Sequence, residues 1–327
     1  MSNNIITRIC CLAVMMLVCC HAFAGDPLPS WNKGANKQAI IQFVTTVTDK
    51  TSPQYVPPEN RIATFDNDGT LWLEQPMYTQ IIFTLEHIKK LAAKYPDWKT
   101  KEPFKSVLDN QINHLSYKDI DQLLAVTHSG MNVDDFIGIE KQWLASAINP
   151  RFKRHYIELV YQPMLEVMQY LRNNGFKVYI VSGGGQEFIR AYSPEIYAVQ
   201  TENVIGSTGK TKYVYIKGKP QLIIMPELLI DDNYAGKAES INLFIGKKPI
   251  IAFGNSDGDQ QMLEWTQSGS GLRLMLLVHH DDAEREYAYD KNSRIGKLSQ
   301  RMMDEAAKNH WRMISMKNDW KVIFPQE

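Results

Sequence analysis

The sequence predicts an α/β fold in which a parallel sheet carries helices on both faces and is interrupted by a helical insert. Short apolar runs alternate with helix-like stretches in the C-terminal half of the chain, at residues 176–181, 228–230, 249–253 and 272–278. An earlier apolar run at residues 61–65 precedes a long stretch with helical spacing and no clear strand. Strands that alternate with helices are typical of a parallel sheet that is covered on both faces.

Helix signals place most of the other elements. The apolar residues of the segment 76–95 have the spacing of an amphipathic helix. Ser116 and Asn132 each stand at the position of a helix N-cap, three residues before an acidic side chain. Further helices are predicted near residues 37–48 and at residues 163–173, the latter closed by Gly175.

These elements divide the chain into a core and a cap. The helical stretch lies between the strand at residues 61–65 and the next predicted strand. We therefore predict an α/β core at residues 25–75 and 156–327 and a helical cap at residues 76–155.

Composition and charge exclude several classes of protein. Of the 327 residues, 44% are hydrophobic and 22% are charged, which is typical of a globular protein and not of a disordered or collagen-like chain. The 36 basic residues equal the 36 acidic residues, so no overall field attracts the chain to polyanions. We expect no nucleic-acid partner.

The N-terminus is predicted to be a cleavable export signal. The apolar run at residues 9–20 is too short to span a hydrocarbon core of about 30 Å. Ala22-Phe23-Ala24 has the small-x-small pattern of a cleavage site, so we expect a cut after Ala24 and a periplasmic or secreted protein without membrane contact. The alternatives are a membrane anchor and a lipoprotein. All 4 cysteines lie in this segment, and the mature chain would lack disulfides and thiolate metal sites.

Polar residues follow the predicted strands and indicate one active site. In an open α/β sheet, ligands collect at the carboxyl ends of the strands. When two acids lie on one loop, one can attack the substrate while the other transfers a proton. A serine and a lysine suit an anionic phosphoryl group, and the surplus of acids implies a divalent cation such as Mg²⁺. The residues are Asp66 and Asp68 after the first strand, Ser182 after the second, Lys237 after the third, and Asn255, Asp257 and Asp259 after the fourth.

These motifs resemble those of the haloacid dehalogenase superfamily. Residues 65–71 (Phe-Asp-Asn-Asp-Gly-Thr-Leu) look like its first motif, Val181-Ser182 like the second, Lys237 like the third and residues 254–259 (Gly-Asn-Ser-Asp-Gly-Asp) like the fourth. The order matches over about residues 61–264. The resemblance implies a Rossmann-like core with a mobile cap between the first two motifs, as in phosphoserine-phosphatase-like members.

The resemblance also implies a role for each matched residue. Asp66 would be the nucleophile that forms an aspartyl-phosphate. Asp68 would protonate the leaving oxygen and then activate water. Ser182 would hold a phosphoryl oxygen, and Lys237 would neutralise charge. We expect Thr70 and Gly183 to contact the substrate beside them.

The metal site departs from the family pattern at one position. Mg²⁺ would be held by Asp66, by the backbone carbonyl of Asp68 and by the fourth motif, through Asn255 and Asp259. Similar members have an aspartate where this chain has Asn255, and an amide oxygen brings no charge. We therefore expect Asn255→Asp to lower the magnesium requirement. Asp257 is interpreted as a loop-stabilising acid, with metal ligation as the alternative.

The expected activity is hydrolysis of a small phosphorylated metabolite. Trp72 and Glu74 follow the first motif and could receive a cationic leaving group, although a buried tryptophan and a solvated glutamate are an equal alternative. A phosphotransferase of the same superfamily and a non-catalytic ligand-binding protein on the same fold remain the rival functions. The sequence leaves the oligomeric state open.

Three other signals are interpreted as structural. Residues 206–211 (Gly-Ser-Thr-Gly-Lys-Thr) are similar to a phosphate-binding loop but lack its first glycine, so we predict a β-hairpin with solvated lysines. His279 and His280 are adjacent in a predicted strand and would point to opposite faces, which disfavours a shared metal ion. His128, near the end of a cap helix, is interpreted as a partner of the helix dipole.

Overall fold

The computed structural model describes residues 25–325. The predicted export signal with its cysteines and cleavage site therefore lies outside the described residues, as do the last two residues. Within residues 25–325, no helix is both long enough and apolar enough to span a bilayer.

The core is one mixed sheet with a parallel centre. In the described part of the chain the strand order is β4-β3-β2-β1-β5-β6-β7, and β8 also pairs with β6. The pairs from β3 through β2, β1 and β5 to β6, and from β6 to β8, are parallel, whereas β4 and β7 pair antiparallel. The predicted α/β fold with a parallel sheet is confirmed. The strands are β1 (Ile62–Phe65), β2 (Lys177–Gly185), β3 (Val204–Ile216), β4 (Lys219–Ile230), β5 (Ile251–Gly254), β6 (Leu274–Asp281), β7 (Ala288–Tyr289) and β8 (Arg312–Ser315).

The helices follow the predicted pattern closely at their starts. Ser116 caps the fourth helix through a reciprocal pair with Asp119, and Asn132 caps the fifth by accepting from the backbone N–H of Asp134. The helices of the described chain are α1 (Ala35–Thr48), α2 (Thr79–Leu91), α3 (Phe104–Leu108), α4 (Tyr117–His128), α5 (Val133–Leu144), α6 (Gln162–Asn173), α7 (Gln186–Arg190), α8 (Ser193–Ile196), α9 (Ala235–Ser240), α10 (Gln260–Gln267), α11 (Gln300–Lys308) and α12 (Met316–Asp319).

Apolar clusters cover both faces of the sheet. Alternate residues of β5 divide between them: Ile251 and Phe253 join a cluster that includes α1 and α6, and Ala252 joins a cluster that includes α10 and α11. Phe65 of β1 stacks on Phe253 with ring centroids 4.5 Å apart. Because β1 and β5 are buried on both faces, packing fixes the positions of these strands. The first and fourth motifs begin at their carboxyl ends.

The helical insert has an apolar cluster of its own, formed by α2, α3, α4 and the segments between them. It also pairs with a hairpin from the core sequence. The backbone N–H of Ile224 in β4 donates to Met131 at 2.9 Å, and that of Gly130 donates to Ile224 at 2.8 Å. The boundaries of the cap at residues 76 and 155 remain a prediction. The insert also contacts the β3–β4 hairpin, which lies outside these boundaries in the sequence.

The hairpin itself was predicted only in part. Residues 206–211 lie in β3, which forms the expected hairpin with β4 through a turn at residues 217–218, and Lys210, Lys212, Lys217 and Lys219 are exposed. The apolar run at residues 228–230, however, is the end of β4 and pairs antiparallel with β3. It is not a separate strand of the parallel sheet, because β4 begins nine residues earlier within the same extended segment.

Candidate active site

The four predicted motifs meet at the carboxyl ends of β1, β2 and β5. Asp66 follows β1 directly, and Asn255 follows β5. Ser182 lies within β2, because this strand continues through the glycines to Gly185 and does not end at Val181 as predicted. Lys237 projects into the same place from α9, the short helix that follows the hairpin.

Lys237 joins the first and fourth motifs. Its Nζ lies 2.5 Å from Asp66 Oδ1 and 2.6 Å from Asp259 Oδ1, and it donates to the carbonyl of Val181 at 2.9 Å. The side chain is 2% exposed. Burial lowers the pKa of Lys237, but Asp259 and Asp66 raise it more, so the pKa lies above its usual value. Burial and the neighbouring Asp259 raise the pKa of Asp66, and Lys237 opposes this rise. One ammonium group thus stabilises two buried carboxylates.

Asp68 has the environment of a general acid and base. Its Oδ1 accepts a hydrogen bond of 2.7 Å from Trp72 Nε1, and the indole stacks on Tyr192 with ring centroids 4.7 Å apart. Burial raises the pKa of Asp68 to about 6, although the hydrogen bonds from Trp72 and Asn67 lower it. A carboxyl group with this pKa can both give and accept a proton near neutral pH.

The glycine-rich end of β2 lies between Asp68 and the cap. Ser182 is buried, and its Oγ accepts from the backbone N–H of Gly184 at 3.1 Å. Its own hydroxyl hydrogen remains able to donate. Gly183 follows it and is partly exposed. Gly185 donates its N–H to Gln80 Oε1 of α2 at 2.7 Å, so the first cap helix touches the edge of the site.

Both oxygens of Asp259, which the sequence predicts to be a metal ligand, are engaged by hydrogen bonds to Lys237 and to the fourth motif. Its Oδ1 bonds Lys237, and its Oδ2 accepts from the backbone N–H groups of Asn255 and Ser256, both at 3.0 Å, and from Ser256 Oγ at 3.2 Å. Asp257 Oδ1 accepts from the N–H of Ser299 at 2.8 Å, which is the loop-stabilising role that the sequence favoured. Among Asn255, Ser256, Asp257 and Asp259, it is Asn255 whose side-chain oxygen is directed towards the first motif.

The oxygen atoms around Thr70 fit a magnesium ion. Thr70 Oγ1 lies 3.5 Å from Asp66 Oδ2 and 3.3 Å from Asn255 Oδ1, so these two oxygens face the same small space. Within residues 25–325, no set of three or more His, Cys, Asp or Glu side chains could hold a metal ion by itself. A set that combines a carboxylate, an amide oxygen and the backbone carbonyl of Asp68 consists of hard oxygen donors, which Mg²⁺ prefers.

The two residues predicted to contact a leaving group are both buried at the site. Trp72 is 1% exposed and bonds Asp68, as described. Glu74 is 2% exposed, and its Oε1 accepts from Asn255 Nδ2 and from the Tyr289 hydroxyl, both at 2.7 Å. Burial is the main cause that raises the pKa of Glu74 well above its usual value. The structure thus brings both side chains next to the predicted machinery, and both already have partners in the protein.

Sequence reasoning did not identify His280 as part of this region. Its Nε2 lies 2.8 Å from the carbonyl oxygen of Gly69, and its Nδ1 lies 3.2 Å from Glu286 Oε2. Both side chains are buried, whereas His279 is 28% exposed, as expected for adjacent residues of a strand. The alternation of β6 could have indicated which histidine faces the core, but not that it supports the loop of the first motif.

The fold and this arrangement define a hydrolase of the α/β class. The family model of haloacid dehalogenase-like hydrolases matches residues 63–264, from β1 to α10. The chain belongs to this family, and the resemblance seen in its motifs is confirmed. No curated protein sequence matches the chain significantly.

Solved structures that are similar to the chain share little sequence with it. A conserved protein of unknown function from Anaerococcus prevotii is 16% identical with a TM-score of 0.57, over 88% of this chain and 94% of that one. A protein of unknown function from Bordetella pertussis is 14% identical, with a TM-score of 0.47 over 78% and 98%. A phosphoserine phosphohydrolase-like protein from Francisella tularensis is 17% identical, with a TM-score of 0.38 over 67% and 88%. At these identities the first likeness shows the fold alone.

Proposed function

We propose that the protein is an exported, magnesium-dependent phosphatase that hydrolyses a small phosphomonoester through an aspartyl-phosphate. The observation that carries the proposal is the pair of acids on the loop after β1. Asp66 is held by Lys237 at 2.5 Å, and Asp68 is held by Trp72 at 2.7 Å with a pKa raised to about 6 by burial. The two carboxyl groups therefore have different partners, which suits them to different steps.

In the first step the Asp66 carboxylate attacks phosphorus. The bond between phosphorus and the leaving oxygen breaks, and Asp68 donates its proton to that oxygen. Lys237 opposes the charge that collects on the transferred group, and the Ser182 hydroxyl donates to one of its oxygens.

In the second step Asp68, now ionised, accepts a proton from water as the water attacks the phosphorus of the aspartyl-phosphate. The bond to Asp66 breaks, and inorganic phosphate and the free carboxylate are released. A group whose pKa lies near the working pH serves both steps, since it gives the proton in one and accepts it in the other.

Mg²⁺ would be held by Asp66, the carbonyl of Asp68 and Asn255, and Asp259 would support this set by holding Lys237 and the backbone of Asn255. When bound, the cation neutralises the phosphoryl oxygens and so permits the approach of an anionic nucleophile. Gln80 of α2 bonds Gly185 beside Ser182, which supports a role for the cap in limiting the size of the leaving group.

The activity is tested with the purified mature chain and an aryl phosphate. We expect phosphate release with Mg²⁺ and its loss in EDTA, and restoration when Mg²⁺ is added again. In Asp66→Asn, which keeps the size of the side chain, turnover should be abolished. Turnover of wild-type protein that EDTA does not diminish would refute the magnesium requirement, and a transferred phosphate found on an added alcohol would favour a phosphotransferase.

Export is supported by the sequence at residues 1–24, where a short apolar run precedes Ala22-Phe23-Ala24. The test is the mass of the mature chain after expression with its full N-terminus in a bacterial host. A chain that begins at Gly25 in the periplasmic or secreted fraction is the expected result. A full-length chain in the cytoplasm would refute the proposal.

A further inference from the structure

Glu74 is a buried acid that polar partners and backbone surround closely. Its Oε1 accepts from Asn255 Nδ2 and from the Tyr289 hydroxyl, each at 2.7 Å, and the side chain is 2% exposed. A β-carbon at Gly69 would lie 2.3 Å from Glu74 Oε1, and one at Gly296 would lie 1.7 Å from it. Both glycines have positive φ, +73° and +59°. Backbone from two distant parts of the chain therefore closes around this carboxyl group.

The contact with Glu74 sets the orientation of Asn255. Because Asn255 Nδ2 donates to Glu74, its Oδ1 must point the other way, towards Thr70 and Asp66. The amide oxygen is therefore the atom that faces the proposed cation. An acceptor oxygen at the amide nitrogen also polarises the amide and leaves more negative charge on its oxygen.

The contact between Glu74 and Asn255 bears on the departure in the fourth motif. Asn255 brings no charge of its own, and both oxygens of Asp259 are engaged by Lys237 and by the backbone of its own loop. Lys237 also takes one oxygen of Asp66. The contact from Glu74 is then what directs the remaining oxygen of this motif, Asn255 Oδ1, towards the first motif.

We propose that Glu74 is a positioning residue for the divalent cation: it fixes the amide of Asn255 and, with it, replaces the aspartate that would otherwise ligate the ion. The inference rests on the proposed magnesium site. It differs from a role in substrate recognition, for which Glu74 would need an acceptor directed into the crevice.

The inference leads to the opposite expectation for Asn255→Asp from the one drawn from the sequence alone. The single variant places a second carboxyl group against Glu74, where the two side chains are now 2.7 Å apart. Two carboxyl groups at that distance repel strongly when both are ionised, so one of them must hold a proton. The single variant should therefore bind Mg²⁺ no more tightly than wild type, and it should have a lower melting temperature. Asn255→Asp combined with Glu74→Gln exchanges the two groups and restores one acid and one amide.

The experiment is calorimetric titration of Mg²⁺ into metal-free mature protein, with circular dichroism to verify folding. Glu74→Leu removes the oxygen that accepts from Asn255 Nδ2 and should raise the Kd for Mg²⁺ by about 10- to 100-fold, the usual effect of losing a partner of a metal ligand. Asn255→Asp combined with Glu74→Gln should return to within about threefold of wild type, a recovery that Asn255→Asp alone does not show. Glu86→Leu is the matched control, because Glu86 bonds Trp143 in the cap and should leave the Kd unchanged.

An unchanged Kd in Glu74→Leu, or tighter binding in Asn255→Asp alone, overturns the inference while the magnesium site stands. If wild-type protein binds no Mg²⁺, the proposed metal site fails and the inference fails with it. If Glu74→Leu does not fold, recovery of Mg²⁺ binding in the double variant relative to Asn255→Asp alone supports the exchange, and failure of recovery refutes it.

Discussion

Acid should destabilise the cap through His128, the last residue of α4. The ring packs edge-on against Phe136 with centroids 4.4 Å apart, and its Nε2 is enclosed without a hydrogen-bond partner among the described residues. Burial, with a smaller contribution from His87, lowers the pKa of His128 to about 3. The sequence had suggested a charged partner for the helix dipole. The structure instead has a neutral imidazole, because contact with Phe136 removes the water that a charged ring needs.

The sign of the effect follows from proton uptake on unfolding. In the unfolded chain a histidine takes up a proton below a pKa of about 6.5, whereas folded His128 stays neutral down to about pH 3. Between these values the unfolded state binds more protons, so stability falls as the pH falls. Integrated from pH 8 to pH 5, the loss is about 2 kcal/mol for this one group.

The assay is urea unfolding at pH 8, 7, 6 and 5 for wild type and His128→Leu. The buried acids Glu74 and Glu140, whose pKa values burial raises, affect both proteins equally and cancel in the difference. We expect the free energy of unfolding of wild type, relative to the variant, to fall by about 2 kcal/mol over this range. His310→Gln changes an exposed histidine and is the control. Parallel stability curves for wild type and His128→Leu would refute the reasoning.

Three further predictions concern catalysis. Asp66→Asn should lower kcat by about 100-fold or more while the melting temperature shows a folded protein, and a smaller loss would contradict its role as nucleophile. Asp259→Asn, which loosens the backbone of Asn255 and the salt bridge to Lys237, should raise the Mg²⁺ concentration for half-maximal activity about tenfold, and an unmoved titration curve would exclude this support. Trp72→Phe removes one hydrogen bond to a carboxylate and should reduce kcat/KM roughly 10- to 100-fold, whereas an unchanged value would show that the indole N–H does not position that acid.

The core and the meeting of the motifs could be predicted because they depend on short-range patterns. β1 is four buried residues followed at once by Asp66, and β5 is four buried residues followed by Asn255. An apolar strand between helices needs neighbours on both sides, and parallel pairing then brings its polar end to the same edge as the others. These short-range patterns were sufficient because each functional residue lies on or next to its own strand or helix.

The supporting contacts could not be predicted, because they join residues far apart in the chain. Glu74 meets Asn255 across 181 residues, and His280 meets Gly69 across 211. No rule of sequence spacing relates such positions, and a single glutamate or histidine in a sequence is usually interpreted as a solvated side chain. The course of β4 was missed for a similar reason: its exposure alternates weakly, and its partner in the cap, Met131, precedes it by nearly a hundred residues.

These supporting contacts share an origin that explains why buried polar groups surround the first motif. His280, Glu286 and Tyr289 lie beyond residue 264, where the match to the family ends. His280 holds the carbonyl of Gly69, Tyr289 holds Glu74, and the two rings stack with centroids 4.3 Å apart. An acid such as Glu74 can be buried beside the catalytic loop only if something supplies hydrogen bonds in place of water. Tyr289 of the C-terminal segment supplies one of them and Asn255 supplies the other, so the neutral Asn255 and the segment that covers Glu74 are parts of one arrangement.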